Sequence, residues 1–406
     1  MRTKIEQDVF EPIVRGIAQS GVRVANKRAV LSLIAGLPGV SNADIARRSG
    51  LGPQTTARIL SELEERDLVV RGDVLRGRRG QPATPYRLNP HGAYSFGVEI
   101  GWNHFEVLLQ NIAGQPLASV RHPLDFPDPE TIFERIAAEI ATLVSGLTPL
   151  QRGRLAGIGV TTPGRFGPLL GRLGASPAQI AAWGRIDIAG RIGADAGLPA
   201  FWINDGSAAA WCEIVRFPRP RPSGLAAFFI GTFVGGGIVT GGALLEGPHG
   251  NAADLGAIVV HDRAGRPGHV HLLASLHALG RRLEAAGLAR PPGLPRQWDW
   301  AALEPHAAPW VEDAGHALAQ AIASTAAVIE IDTALINGVL PEPVLGRVLD
   351  STDRHLEALP ALAPGRPRVA AGRAGYSAAV SGAAQLVLFR RHFSRAWELF
   401  APEPAK

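Results

Sequence analysis

Apolar residues in the first quarter of the chain recur at helical spacing and are broken at short intervals. Leu31, Ile34 and Ala35 form one apolar helical face, which stops at Gly36, Pro38 and Gly39. Ser41 then stands where it can cap a short helix over Ser41–Ser49, with Asp44 near the positive end of its dipole. Gly50 ends that helix. Pro53 suits the first turn of the next, because its missing N–H would be unsatisfied there anyway. Thr56, Ile59, Leu60 and Leu63 predict the buried face of this third helix, which leaves Gln54, Thr55 and Arg58 on its outward N-terminal side. After it, Leu68-Val69-Val70 and Tyr86-Arg87-Leu88 read as strands of a ribbon whose tip, Arg76 to Gln81, carries Arg76, Arg78 and Arg79 between glycines.

Beyond Asn89-Pro90 the pattern changes to alternating strands and helices. Tyr94 to Ile100, Phe105 to Gln110 and Leu117 to Arg121 predict a three-stranded meander. An amphipathic helix (Pro129 to Leu147), a buried strand (Ala156 to Val160), a long loop through Trp183, a helix to Ala196 and a strand at Ala200 to Ile203 follow. From Leu225 the theme restarts: Leu225 to Ile230, Gly237 to Thr240 and Ala243 to Leu245 form a second meander, with later strands at Ala334 to Asn337 and Arg368 to Ala371. The helices Pro309 to Ile331 and Tyr376 to Arg390 are expected to cover the sheet of this second half. Two similar lobes are implied, of about 91–215 and 222–390, joined by the extended Phe217 to Pro222. Two such lobes bind a ligand in the cleft at the ends of their strands.

Charge sharpens the first assignment. Residues 1–90 carry 15 Lys or Arg against 9 Asp or Glu, whereas the whole chain is +5, so the remaining residues are close to neutral. The positive excess therefore falls on the helix–break–helix–ribbon segment, Asn26 to Arg87, as phosphate neutralisation requires. This segment reads as a winged helix-turn-helix, with Gln54, Thr55, Arg58, Arg76, Arg78 and Arg79 placed to meet double-stranded DNA. One such module contacts too few bases for tight binding, so a homodimer or higher homo-oligomer on paired half-sites is expected. The 406 residues exceed one ordinary core. The domains are set at 1–90 for DNA binding and 91–406 for the rest. A single cysteine, Cys212, excludes an intrachain disulfide and multi-cysteine zinc sites, which fits a reducing cytoplasm. Pro222 to Leu245 is uncharged, but its seven glycines break it into short β-rich runs, so no membrane span is expected.

The order of motifs in the long part resembles the ROK family of repressors and sugar kinases. It runs from Gly80-Gln81-Pro82-Ala83-Thr84-Pro85 and Arg87-Leu88-Asn89-Pro90 through Phe96 to Gly101, then Asn204-Asp205 before a run of alanines, to Gly231-Thr232-Phe233-Val234-Gly235-Gly236-Gly237. The resemblance covers nearly the whole chain and implies an α/β fold: an N-terminal winged helix-turn-helix followed by a two-lobed, actin-like (ribonuclease-H-like) sugar-kinase-like domain. Asp205 falls where the family's kinases have the base that takes the proton from the sugar hydroxyl, and Asn204 where an Asn contacts sugar. The same carboxylate suits the N-cap of a helix over Ala208 to Val215. Asp254, in Gly250 to Ala257, stands where the family has a sugar-binding Glu, so the resemblance implies a sugar site of Asn204, Asp205 and Asp254.

Departures from that pattern bear on catalysis. Where the family has an Asp and a Gly-Gly-Thr loop that approaches phosphates, this chain has Glu99 and Gly101-Trp102-Asn103. Phe233 replaces a small residue in the second Gly-rich loop, and near Ile336 to Val339 only Gly338 of a glycine cluster remains. These changes argue against nucleotide binding, since phosphoryl transfer depends on positioning phosphates and magnesium. Ala257 takes the place of a zinc-ligating His, and His261, His269, His271 and His277 have no thiolates beside them, so neither a metal nor a cofactor is called for. The expectation is a cytoplasmic transcriptional regulator, a repressor of carbohydrate-related genes, with a monosaccharide or derivative as effector. The alternatives are an ATP-dependent sugar kinase with Asp205 as catalytic base, and a regulator triggered by a protein partner after its sugar pocket decayed.

Overall fold

The structure is a computed structural model that describes residues 19–73, 84–124, 128–164, 166, 168–360 and 365–394. Of these, the residues up to Asn89 and from His392 onward make one compact unit, and Pro90–Arg391 make the other.

In the first unit, α1 (Gln19–Gly36) is followed by β1 (Val40–Ser41), α2 (Asn42–Ser49), α3 (Pro53–Glu65), β2 (Val69–Arg71) and β3 (Pro85–Leu88). Ser41 caps α2, its Oγ accepting from Asp44 N–H at 3.1 Å, and Gly50 ends the helix in the left-handed region at φ 69°. Helix α3 opens on Gly52 and Pro53 and buries Thr56, Ile59, Leu60 and Leu63 against Leu31, Ile34 and Ile45 of the earlier helices. The strands form one antiparallel sheet in the order β1-β3-β2, with Val40 opposite Tyr86 and Val70 opposite Arg87. The wing tip with Arg76, Arg78 and Arg79 lies outside the described residues.

The second unit contains two five-stranded sheets. The first lobe comprises β4 (Tyr94–Ile100), β5 (His104–Asn111), β6 (Pro116–Pro123), α4 (Pro129–Ser145), α5 (Pro149–Arg152), β7 (Leu155–Thr162), α6 (Pro168–Gly171), α7 (Pro177–Arg185), α8 (Ile188–Ala196), β8 (Ala200–Asn204) and α9 (Asp205–Arg216). Its sheet runs β6-β5-β4-β7-β8, antiparallel in the meander and parallel beyond it. The second lobe comprises β9 (Gly224–Ile230), β10 (Val234–Thr240), β11 (Ala243–Leu244), β12 (Val259–His261), β13 (Pro267–His269), α10 (Val270–Leu273), α11 (Leu276–Ala285), α12 (Glu304–Val328), β14 (Thr333–Gly338), α13 (Glu342–Ala358), β15 (Arg368–Ala371) and α14 (Ala378–His392). Its sheet, β11-β10-β9-β14-β15, repeats the arrangement of the first. Pro222 to Leu245 is thus strand and turn, and no described helix is long and apolar enough to cross a membrane.

Three expectations are corrected. The stretch before Trp183 contains α6 and α7 rather than one long loop; Ser176 and Gln179 close a capping box on α7, which buries Trp183 in the first-lobe core. The helix after β8 begins at Asp205, and its cap is Asn204, whose Oδ1 accepts from Ser207 N–H at 3.2 Å. Helix α14 packs directly on the sheet of the first lobe, while its Ala383 and Leu386 share a core with Leu225, Ala227 and Leu335 of the second. A Cβ at Gly97 of β4 or Gly159 of β7 would overlap the carbonyls of Val380 and Ala383, and Ser95 Oγ donates to Ala384 O at 2.8 Å.

Candidate functional site

The outward side of α3 presents Gln54 and Arg58, both exposed, with Thr55 half-buried. Arg58 lies 3.5 Å from Glu62, one helical turn on, and Glu62 also accepts from Arg23 at 2.6 Å and pairs with Lys27. Lys27 first, and then Arg23, hold the Glu62 carboxyl below its ordinary range, burial opposing them. Exposed pairs of this kind contribute little to stability, so Arg58 can exchange Glu62 for a DNA phosphate or base at low cost.

The second candidate surface is a cleft between the lobes, with a volume of about 720 Å³, lined by Glu99, Trp102, Asn204, Asp205, Phe233, Asn251, Asp254, His271 and Arg290 among others. Asn204, Asp205 and Asp254, far apart in sequence, therefore share one cavity. Three junctions bring them there. Strand β8 ends at Asn204 and α9 starts at Asp205, so both project from a strand end. Gly206 in the first turn of α9 lies against the backbone of Gly236 in β10, where a Cβ on either residue would overlap its neighbours; this close approach carries Asp205 to the second lobe. Asn204 Nδ2 donates to Asn251 Oδ1 at 3.2 Å, which ties the loop before Asp254 to the same point.

Electrostatically the carboxylates oppose one another. The Asp205 carboxyl is pushed up to about 7 by burial and then by the Glu99 and Asp254 charges, with the Gly206 N–H, 2.7 Å away, acting the other way. Burial would raise Glu99 too, but His104, whose Nε2 lies 3.3 Å away, keeps it below its ordinary range. Asp254 faces His271 Nε2 at 3.4 Å. Among the described residues, neither Glu99 Oε2 nor His271 Nδ1 has a hydrogen-bond partner, although both are buried. Both atoms are also closed to solvent, so they lie behind the cleft wall and not at its surface. His104 and Asn251 were missed in the sequence, and His271 was weighed there only as a metal ligand. Only Asn251 had a signal there, its place between Gly250 and Asp254.

The loops that depart from the kinase pattern meet in space. Trp102, in the turn between β4 and β5, stands edge to face with Phe166 (ring centroids 5.6 Å apart) and with Phe233 (5.1 Å), which sits between β9 and β10. Gly235 to Gly237 belong to β10, where they admit α9, so only Gly231, Thr232 and Phe233 form the turn at the cleft. The histidines do not converge: His269 Nδ1 meets Ala257 O at 2.9 Å, His277 lies beside Phe233, and no three His, Cys, Asp or Glu among the described residues gather as a metal site.

The profile of the ROK family matches residues 95–390. The chain belongs to the ROK family. A winged helix-turn-helix DNA-binding profile matches residues 25–70, so this ROK chain carries a DNA-binding module ahead of its two lobes. It is 29% identical over 382 residues to an uncharacterized protein, y4fQ, of Sinorhizobium fredii, covering 91% of this chain and 92% of that one. It is 26% identical over 260 residues to the N-acetylglucosamine repressor of Escherichia coli O157:H7, covering 60% of this chain and 61% of the repressor. A crystal structure of a ROK family transcriptional regulator, a homologue of the E. coli MLC protein, superposes with a TM-score of 0.67 at 22% identity, covering 91% of this chain and 97% of that one. The α/β architecture of winged helix followed by two lobes is therefore that of ROK regulators.

Proposed function

We propose that this ROK chain is a cytoplasmic transcriptional repressor that binds operator DNA as a homodimer and whose interlobe cleft holds a monosaccharide or derivative as effector. The observation that carries this reading is the contrast between the two ends of the cleft. Asn204, Asp205, Asn251 and Asp254 offer acceptors and donors suited to vicinal hydroxyls. Trp102 and Phe233 occupy the two turns where a kinase needs small residues beside phosphate. Binding without phosphoryl transfer is what such a site supports.

A kinase reading has one observation in its favour: Asp205, with its carboxyl near 7, resembles a general base poised to accept a hydroxyl proton. Sugar-dependent ADP formation that Asp205→Asn abolishes would establish it.

The repressor reading is tested by titrating neutral and derivatised monosaccharides against the complex of the protein with its mapped operator. A sugar that favours one DNA-binding state must shift DNA affinity, and DNA must shift sugar affinity by the same factor. Asp205→Ala should abolish the shift while sugar-free DNA binding stays near normal. If no sugar perturbs the wild-type complex, a protein trigger becomes the better account.

A further inference from the structure

Arg290 also lines the cleft, on the irregular segment after α11, among Pro291, Leu294 and Trp298. Its guanidinium carbon lies 5.9 Å from the centre of the Trp298 ring, and its stem runs against Gly280 of α11. Among the described residues no carboxylate or carbonyl hydrogen-bonds to it. The one opposing charge that acts on it is Glu284, which is already paired with Arg281 at 2.9 Å. Burial accordingly draws the Arg290 guanidinium below its ordinary range. Glu99, Asp205 and Asp254 share the cavity but are not among the charges acting on Arg290. Nearby, the His277 imidazole is drawn down by burial and then by the Arg290, Arg172 and Arg281 charges.

A half-buried guanidinium without an anion is costly, and its planar fork of donors fits a carboxylate or phosphate with two parallel hydrogen bonds. The cleft therefore has an acceptor-rich region around Asp205 and, at Arg290, a guanidinium with no hydrogen-bonded anion among the described residues. We propose that its ligand is a sugar bearing an anionic substituent, a phosphate ester or a carboxylate, with hydroxyls toward Asp205 and Asp254 and the anion against Arg290. This rests on the reading of the cleft as a sugar site and specifies the ligand class. Neutral sugars would leave the guanidinium unpaired.

The test is calorimetric titration of the full chain with glucose, mannose, xylose and N-acetylglucosamine, each as the neutral sugar, its phosphate ester and its sugar acid, and with AMP. At least one sugar anion should bind about tenfold or more tighter than its neutral parent, the scale of a charge-assisted hydrogen bond. Arg290→Gln should remove that advantage and leave the neutral sugar's affinity within about twofold, whereas Arg290→Lys, which keeps the charge, should retain part of it. Neutral sugars binding as tightly as their anions, or equal losses for both on Arg290→Gln, would overturn the anionic subsite and leave the sugar cleft standing. Arg290-dependent binding of AMP without binding of any sugar anion would overturn it in favour of a nucleotide. Failure of every compound would remove the cleft reading as well. If Arg290→Gln does not fold, the ratio of anion to neutral affinity in wild type and Arg290→Lys still decides.

Discussion

Trp102 and Phe233 meet edge to face with ring planes 76° apart, each in the first hairpin turn of its own lobe. The repeated β-meander thus brings equivalent turns of the two lobes together at the cleft, each carrying an aromatic ring.

That pairing should be measurable. In a double-mutant cycle of Trp102→Ala and Phe233→Ala followed by urea unfolding, the two changes should couple by about 0.5–1.5 kcal/mol, the range for aromatic pairs beyond buried area. Additive effects would mean that the rings touch without holding the lobes.

The two groups proposed to meet DNA should separate by their salt behaviour. Arg58→Ala should cost about 1–3 kcal/mol on the operator and much less on random DNA if Arg58 reads a base. Replacing Arg76, Arg78 and Arg79 together should weaken both, and the slope of log K against log salt should fall by roughly 0.9 for each phosphate that the variant no longer neutralises. Equal losses on both DNAs for Arg58→Ala, read by fluorescence anisotropy, would reassign it to the backbone.

Asp205 sets a pH dependence of known sign. Its unfolded-state carboxyl ionises near about 4, while the folded one, pushed up to about 7, keeps its proton longer. As pH rises through that window the unfolded state loses the proton first, so this group makes folding less favourable. Asp205→Asn has no such proton, and its Oδ1 can still accept from Gly206 N–H. Its stability relative to wild type should increase between pH 4.5 and pH 7 and then level off, by up to about 1.4 kcal/mol per pH unit. Chemical denaturation at pH 4.5, 6 and 8 checks this. A constant difference across the three would show that Asp205 is not perturbed.

The helix-turn-helix was legible because its determinants are local. Ser41, Gly50 and Pro53 set the breaks, and Thr56, Ile59, Leu60 and Leu63 repeat on one face. The strands of the two five-stranded sheets were legible for the same reason, although β10 starts at Val234 and the short β12–β13 pair went unread. The sheet that α14 covers was not legible, because Ala378 to Leu388 is buried on all sides and no apolar stripe shows which neighbour it faces. Asn204 and Asp205 were recognisable as a pair, but which of them caps α9 depends on where the strand stops. Glu99 stood out only as a departure from a motif; its pairing with His104 arises from hairpin register, which puts Glu99 opposite Glu106 and brings the β5 start back over the strand end. Arg290 carried no sequence signal, since its significance is the lack of an anion around it.

Helix α14 leaves the sensor at Arg391 and continues into His392, and Ser394 N–H then donates to Ser32 Oγ of α1 at 2.9 Å. The DNA-binding unit is therefore discontinuous in sequence, with two covalent junctions to the sensor. A single cut after Asn89 would not release it whole. Exchange of sensors between such regulators by recombination at one breakpoint would leave a DNA-binding unit lacking its returning strand of chain, so grafting a new sensor onto this unit requires two matched crossovers.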